Sequence, residues 1–190
     1  MSMLHYNSLY ITQAVAVLNS NGVVAYPTEA VWGLGCDPFC RTAVEKILAM
    51  KRRDRGMGLI LIAASIHQLQ PFLVGLPPVF RDQLEASWPG PQTWLVPNNG
   101  VAPEWITGGC DTLALRVTDH PVASALCRIF GGPLVSTSAN PHGLPPAKNL
   151  LKVNMYFRTK FDYLVPGKLG KIKNPTPIKN LKSGEVLRSS

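Results

Sequence analysis

The sequence contains no apolar run approaching the roughly 20 residues that a membrane-spanning helix needs. Met1 to Leu9 also lacks the basic start and apolar core of a secretory signal. These absences disfavour insertion and export, and the expectation is a soluble, cytoplasmic protein. Cysteine is scarce, with four residues (Cys36, Cys40, Cys110, Cys127), too few for the disulfide framework that staples small secreted domains. Cys36-x3-Cys40 is half of a zinc motif, but no second Cys or His pair follows at finger spacing, so no metal ligands are assigned. The Gly-x4-Gly-Lys-Ser/Thr loop is missing, and Gly33-x-Gly35 is followed by Pro38 where a dinucleotide fingerprint requires glycine. There is no Gly-x-Ser-x-Gly elbow, and His5, His67, His120 and His142 are scattered, which disfavours a Ser–His hydrolase.

What is present fits one ordinary domain spanning 1–190, since 190 residues at 46% hydrophobic content supply one full core. The net charge of +8 is unevenly placed. Residues 1–147 hold nine Lys/Arg and nine Asp/Glu, whereas residues 148–190 hold ten Lys/Arg against Asp162 and Glu185. A basic segment on a neutral body suits a polyanion such as tRNA or double-stranded RNA, and it equally suits a solvated lysine-rich surface.

Periodicity orders the chain as strands alternating with helices, the signature of an α/β fold. Ile11, Ala14, Val15 and Leu18 recur at helical spacing behind a cap at Asn7 or Ser8. Val23–Tyr26 reads as a buried strand, with Thr28–Asp37 as a glycine-bearing loop at its carboxyl end, where open α/β sheets place ligands. Thr42 is the expected cap of a helix carrying Val44, Ile47 and Leu48, which ends in Lys51-Arg52-Arg53. Leu59–Ile62, Thr93–Val96 and Leu113–Val117 are further strands, with Arg116 facing an edge or a site. Pro121 to Phe130 reads as a helix with Val122, Ala125, Leu126 and Ile129 inward, stopped by Gly131-Gly132. A strand then leads into Ser136-Thr-Ser-Ala-Asn140. Beyond Pro146 the pattern weakens to a helix over 149–157, a strand over 163–165, a flexible Lys168–Lys173 loop and a last strand over 185–188.

Two polar clusters carry the chemistry. Lys51 and Arg53 can neutralise phosphate, the lysine as a point charge and the arginine as a planar fork. Three or four cations there exceed what matching a helix dipole needs, although a solvated helix end remains the plain alternative. Ser136, Ser138 and Asn140 alternate along an extended segment and project to one side, able to donate to phosphate or carboxylate oxygens, unless they form an ordinary hydroxyl-rich turn before Pro141. Cations and hydroxyls at strand ends suit a reaction driven by positioning and charge neutralisation, as nucleotidyl transfer is.

Five ordered segments extend this reading: Tyr26-Pro-Thr-Glu-Ala-Val-Trp-Gly-Leu-Gly-Cys-Asp37, Lys51-x-Arg53 ahead of Gly58-Leu-Ile-Leu, Trp88-Pro-Gly-Pro-x-Thr93, Leu115-Arg-Val-Thr-Asp-His-Pro121, and Ser136-Thr-Ser-Ala-Asn140. In order and spacing, over residues 10–188, they resemble the YrdC-like threonylcarbamoyl-AMP synthases. The resemblance implies a twisted mixed α/β sheet with flanking helices around a basic concave cleft. It implies synthesis of threonylcarbamoyl-adenylate and pyrophosphate from L-threonine, bicarbonate or CO2, and ATP, with Mg²⁺ accompanying the nucleotide. The product would pass to tRNA threonylcarbamoyl transfer proteins that modify a position beside the anticodon. The resemblance puts Thr28, Arg116 and Ser136 near threonine, and Lys51, Arg53, Thr112, Ser138, Asn140, Thr176 and Arg188 around ATP, with Lys51 and Arg53 as the catalytic cations.

The implied chemistry needs no protein nucleophile. A carbamate formed on the threonine amine attacks the α-phosphorus, and pyrophosphate leaves. Bringing an anion to a phosphate requires cations, which Lys51 and Arg53 would supply, while Arg116 would fork the threonine carboxylate. Three positions depart from the family pattern. Met57 stands where Lys or Asn is common, Leu59–Ala64 lacks the histidine of longer members and so points to the short form, and Lys179-Asn180 replaces a common Arg-Asp. The competing reading is a non-catalytic RNA-binding module using the same cleft, and a third is an ATP-dependent ligase for another amino acid.

Overall fold

Residues 8–158 and 160–189 are described by a computed structural model. The elements run α1 (Ser8–Asn19), β1 (Val24–Pro27), β2 (Trp32–Gly35), α2 (Arg41–Lys51), β3 (Ile60–Ala63), α3 (Ile66–Leu69), α4 (Pro78–Ser87), β4 (Thr93–Pro97), α5 (Glu104–Thr107), β5 (Thr112–Val117), α6 (Pro121–Phe130), β6 (Leu134–Ser138), α7 (Leu150–Phe157), β7 (Tyr163–Leu164), β8 (Ile178–Asn180) and β9 (Val186–Arg188). A 3₁₀ turn over Gln70–Leu73 follows α3. The strands form one mixed nine-stranded sheet in the order β7-β1-β2-β6-β3-β5-β4-β8-β9.

β6 joins the two halves of the sheet. Its start pairs with β3 (Val135 opposite Leu61) and its end with β2 (Ser138 opposite Gly33), so the serine segment lies at the centre of the sheet. Helices cover both faces. α1 and α6 pack Ile11, Leu18, Val122 and Leu126 onto Val24, Tyr26, Ile62 and Leu134. On the other face α2 and α7 bring Val44, Ile47, Val153 and Phe157 against Leu59, Leu61, Leu115 and Val135. Alternation then decides what the uncovered part of the first face presents: Leu134 sits beneath the helices, while Ser136, two residues on, stands in register with Ile60, and Ile60 with Ala114. No helix among the described residues is long and apolar enough to cross a membrane.

Several expectations need correcting. Residues 32–35 are not loop but strand β2, hairpin-paired with β1, because its glycines let the Tyr26 ring lie directly on the backbone. A Cβ on Gly35 would meet the Val135 carbonyl oxygen at 2.5 Å and the Tyr26 ring at 2.8 Å. Helix α2 is capped by Cys40 in extended conformation without a side-chain bond, and Thr42 falls inside the first turn. Ile129 is 49% exposed, being rotated off the α6 stripe that Val122, Leu126 and Cys127 bury. The 168–173 segment is irregular as expected, but its backbone is bonded to the body: Gly170 N–H donates to the Thr28 carbonyl and Ile172 N–H to that of Glu29. Asn7, the alternative cap of α1, lies outside the described residues.

Candidate active site

Each cluster reaches the site by a definite local device. Helix α2 ends when Arg52 adopts a left-handed conformation (φ 50°), which turns the chain so that Lys51 and Arg53 face inward and Arg52 remains in solvent. Lys51 is 3% exposed, and its ammonium donates to the carbonyl oxygens of Ser138 and Asn140. It therefore ties the helix end to the serine strand rather than forming a solvated helix end. Burial and the neighbouring Arg53 guanidinium pull this ammonium down to about 8, while the two carbonyls hold its protons. Arg53 is half-buried, donates to the Gly58 carbonyl at 2.9 Å, and keeps a buried Nε without a partner.

A cavity of about 400 Å³ opens over the uncovered sheet face. Of the sequence-predicted residues, Thr28, Arg53, Thr112, Arg116, Ser136, Ser138, Thr176 and Arg188 line it. Lys51 and Asn140 do not. Lys51 lies behind the serine strand, and the Asn140 amide donates to the carbonyls of Pro141 (3.1 Å) and Leu144 (2.6 Å), holding the turn that follows β6. Met57 is 43% exposed and outside the lining.

β5 presents Thr112, Ala114 and Arg116 on one side, so the arginine in an apolar strand faces the site, not an edge. It is 6% exposed, donates to the Thr176 hydroxyl at 3.0 Å, and approaches the Glu29 carboxylate at 3.2 Å. Thr176 in turn fixes the far wall, its carbonyl accepting from Arg188 Nε at 3.0 Å and Nη2 at 2.6 Å, and its hydroxyl lying 3.4 Å from that of Thr93. Thr28 donates its hydroxyl to the Val31 carbonyl at 2.7 Å, closing the turn between β1 and β2. Burial weakens the acidity of the Tyr26 hydroxyl, and its hydrogen bond with Ser136 offsets part of that. His120 anchors the segment above: its Nε2 donates to the Lys168 carbonyl at 3.1 Å, and burial lowers its basicity.

Sequence reasoning missed Glu29. Thr118 donates its hydroxyl to one carboxylate oxygen and Arg116 faces the other. It sat in plain view within the Tyr26–Asp37 segment, but only the tertiary fold brings Arg116 against it. The lining thus joins the Arg116–Glu29 pair to two further arginines, Arg53 and Arg188, and to the hydroxyls of Thr28, Thr112, Ser136, Ser138 and Thr176. The Arg116–Glu29 pair suits a small zwitterion, the further arginines phosphate oxygens.

A family model, Sua5_yciO_yrdC, described as "Telomere recombination", matches residues 16–190. The chain belongs to this family. It is 53% identical over 180 residues to the threonylcarbamoyl-AMP synthase of Cellvibrio japonicus, covering 95% of each chain. To that of Halorhodospira halophila it is 55% identical over 178 residues, covering 94% of this chain and 93% of the relative. Among solved structures, P. abyssi Sua5 complexed with L-threonine superposes with a TM-score of 0.87 at 31% identity over 94% of this chain. The chain spans 53% of that longer protein. Of the sequence expectations, the family resemblance and the mixed α/β sheet around a basic concave region are thereby shown.

Among the described residues, no group of three or more His, Cys, Asp and Glu side chains is placed to hold a metal ion. The donor set does not fit a resident metal, with Glu29 already engaged by Thr118 and Arg116.

Proposed function

We infer that the protein is a threonylcarbamoyl-AMP synthase, joining L-threonine, bicarbonate and ATP into threonylcarbamoyl-adenylate and releasing pyrophosphate. The observation that carries this reading is one cavity whose lining joins the buried Arg116 and Glu29 to two further arginines, Arg53 and Arg188, and to the hydroxyls of Thr28, Thr112, Ser136, Ser138 and Thr176. The near-full-length identity to synthases of that name supports it.

In this assignment Arg116, Thr28 and Ser136 receive threonine, the guanidinium forking its carboxylate. Arg53, Thr112, Ser138, Thr176 and Arg188 contact the nucleotide, and Arg53 stabilises charge on the phosphate as the carbamate oxygen attacks in line. Lys51 and Asn140 act from behind, holding the Ser138–Asn140 backbone in place. The Lys51 charge adds to the potential that draws two anions together. Mg²⁺ enters as part of the nucleotide substrate, bound to its phosphates. The adenylate is then consumed by a tRNA-modifying transfer in the cytoplasm. The exposed Lys168, Lys171 and Lys173 offer a phosphate-backbone contact for tRNA or double-stranded RNA on this single domain.

Pyrophosphate release from ATP, with L-threonine and bicarbonate omitted in turn, tests the reading. Release that requires both is expected. Release unchanged without threonine removes the synthase, and release supported equally by other amino acids favours a generic ligase. RNA binding with no turnover under any condition favours the binding module.

A further inference from the structure

Glu29 is, among the described residues, the one acidic side chain lining a cavity that also presents Arg53, Arg116 and Arg188. A cavity built solely to bind ATP and bicarbonate has no use for a buried carboxylate, which repels both. Glu29 is nevertheless 4% exposed and held rigidly, one oxygen accepting from the Thr118 hydroxyl. Its other oxygen, Oε2, lies 3.2 Å from Arg116 Nη2 but makes no hydrogen bond, and the Nε of Arg116 is likewise buried without a partner. The two charges neutralise each other while each keeps unused bonding capacity, which is costly in a desolvated place unless something uses it.

We propose that Glu29 is the residue that binds the ammonium group of the amino-acid substrate, so that the Glu29–Arg116 pair reads a zwitterion as a unit. The proposal rests on the threonine reading of the cavity around Arg116. The substrate carboxylate takes Arg116 Nε, the guanidinium nitrogen left without a partner, and the ammonium takes Glu29 Oε2, so both unused positions are filled and the net charge of the site is unchanged. The same contact holds the nitrogen in one direction, the atom on which the carbamate must form. Hydroxy acids that lack the amine leave Glu29 facing an apolar carbon and are rejected by the penalty on its unpaired oxygen.

The test compares L-threonine with 3-hydroxybutyrate of the same C3 configuration, which is threonine without its amine. Binding of each to the full chain is measured by calorimetry without ATP or bicarbonate, in wild type and in Glu29→Gln. Wild type should prefer threonine by about 10²-fold or more, the scale for a site with a buried polar group left unpaired. In Glu29→Gln that preference should fall below about 10-fold through weaker threonine binding, while affinity for a non-hydrolysable ATP analogue is unchanged. A structural role would lower both affinities together and leave the preference intact, and that result overturns the proposal. Equal binding of the two ligands by wild type also overturns it, whether or not the variant folds. Failure of wild type to bind threonine at all overturns the substrate reading, and this inference with it.

Discussion

Replacing Lys51 with methionine keeps the length of the side chain and removes its ammonium. The carbonyls of Ser138 and Asn140 then lose their donor at a place where Lys51 is 3% exposed. Each buried acceptor without a partner costs about 1–3 kcal/mol, and relief of the desolvated charge returns part of that. A net loss of about 2 kcal/mol is expected in urea unfolding. Turnover, followed as pyrophosphate release, should fall roughly 10²-fold or more, because the strand that presents Ser138 loses its tie and the site loses a charge. The lysine also predicts opposite pH trends for activity and stability. Turnover should decline as pH rises through about 8, where the ammonium loses its proton, and Lys51→Arg, which keeps its charge, should lack that limb. Unfolded lysine titrates near 10.4, so between about 8 and 10.4 the unfolded chain holds a proton that the folded one lacks, and stability rises by at most about 1.4 kcal/mol per pH unit. The buried Cys36 and Cys127 thiols, pushed up by burial, Cys127 to about 12, oppose this trend above the ordinary thiol range. Taking the difference between wild type and Lys51→Met cancels their contribution. Unfolding midpoint and turnover within twofold of wild type at every pH would refute the reasoning.

Arg53→Ala should lower kcat by about 10²-fold or more with little change in urea stability, since Arg53 is half-buried and, among the described residues, donates to the Gly58 carbonyl alone. Gly35→Ala should destabilise the fold by about 1–3 kcal/mol in thermal or urea melts, because its Cβ meets backbone oxygen at 2.5 Å and ring carbon at 2.8 Å. Neutralising Lys168, Lys171 and Lys173 together should reduce the slope of log affinity for tRNA against log salt by about 2–3 while leaving pyrophosphate release intact. A slope that is flat in wild type would argue against an RNA contact.

The strands legible in the sequence are those that read as apolar runs, Leu59–Ile62 and Leu113–Val117 among them, with Leu59, Leu61, Ile62, Leu113, Leu115 and Val117 buried. Helix α6 was delimited by Pro121 and Gly131, two residues whose backbone chemistry acts locally. What stayed hidden depends on partners remote in sequence. β2 is strand because β1 and β6 pair with it and its glycines admit Tyr26. α4 buries one residue fully, Leu84, and so carries no apolar stripe to detect. β8 has three residues, defined by pairing with β4. In the site, the Lys51–Arg53 and Ser136–Asn140 clusters stood out in the sequence as polar groups at element ends, whereas Thr28, Thr112, Thr176 and Arg188 followed from the family resemblance. The burial of Lys51 and the pairing of Glu29 with Arg116 were not legible, since each is created by a contact between distant elements.

The measurement that tests the central claim most directly is the mass of the adenylate made from ATP, L-threonine and ¹³C-bicarbonate. The account predicts threonylcarbamoyl-AMP, heavier by one mass unit than the product from unlabelled bicarbonate, with one pyrophosphate formed for each adenylate. A threonyl-AMP that carries no label, or AMP alone, would contradict it.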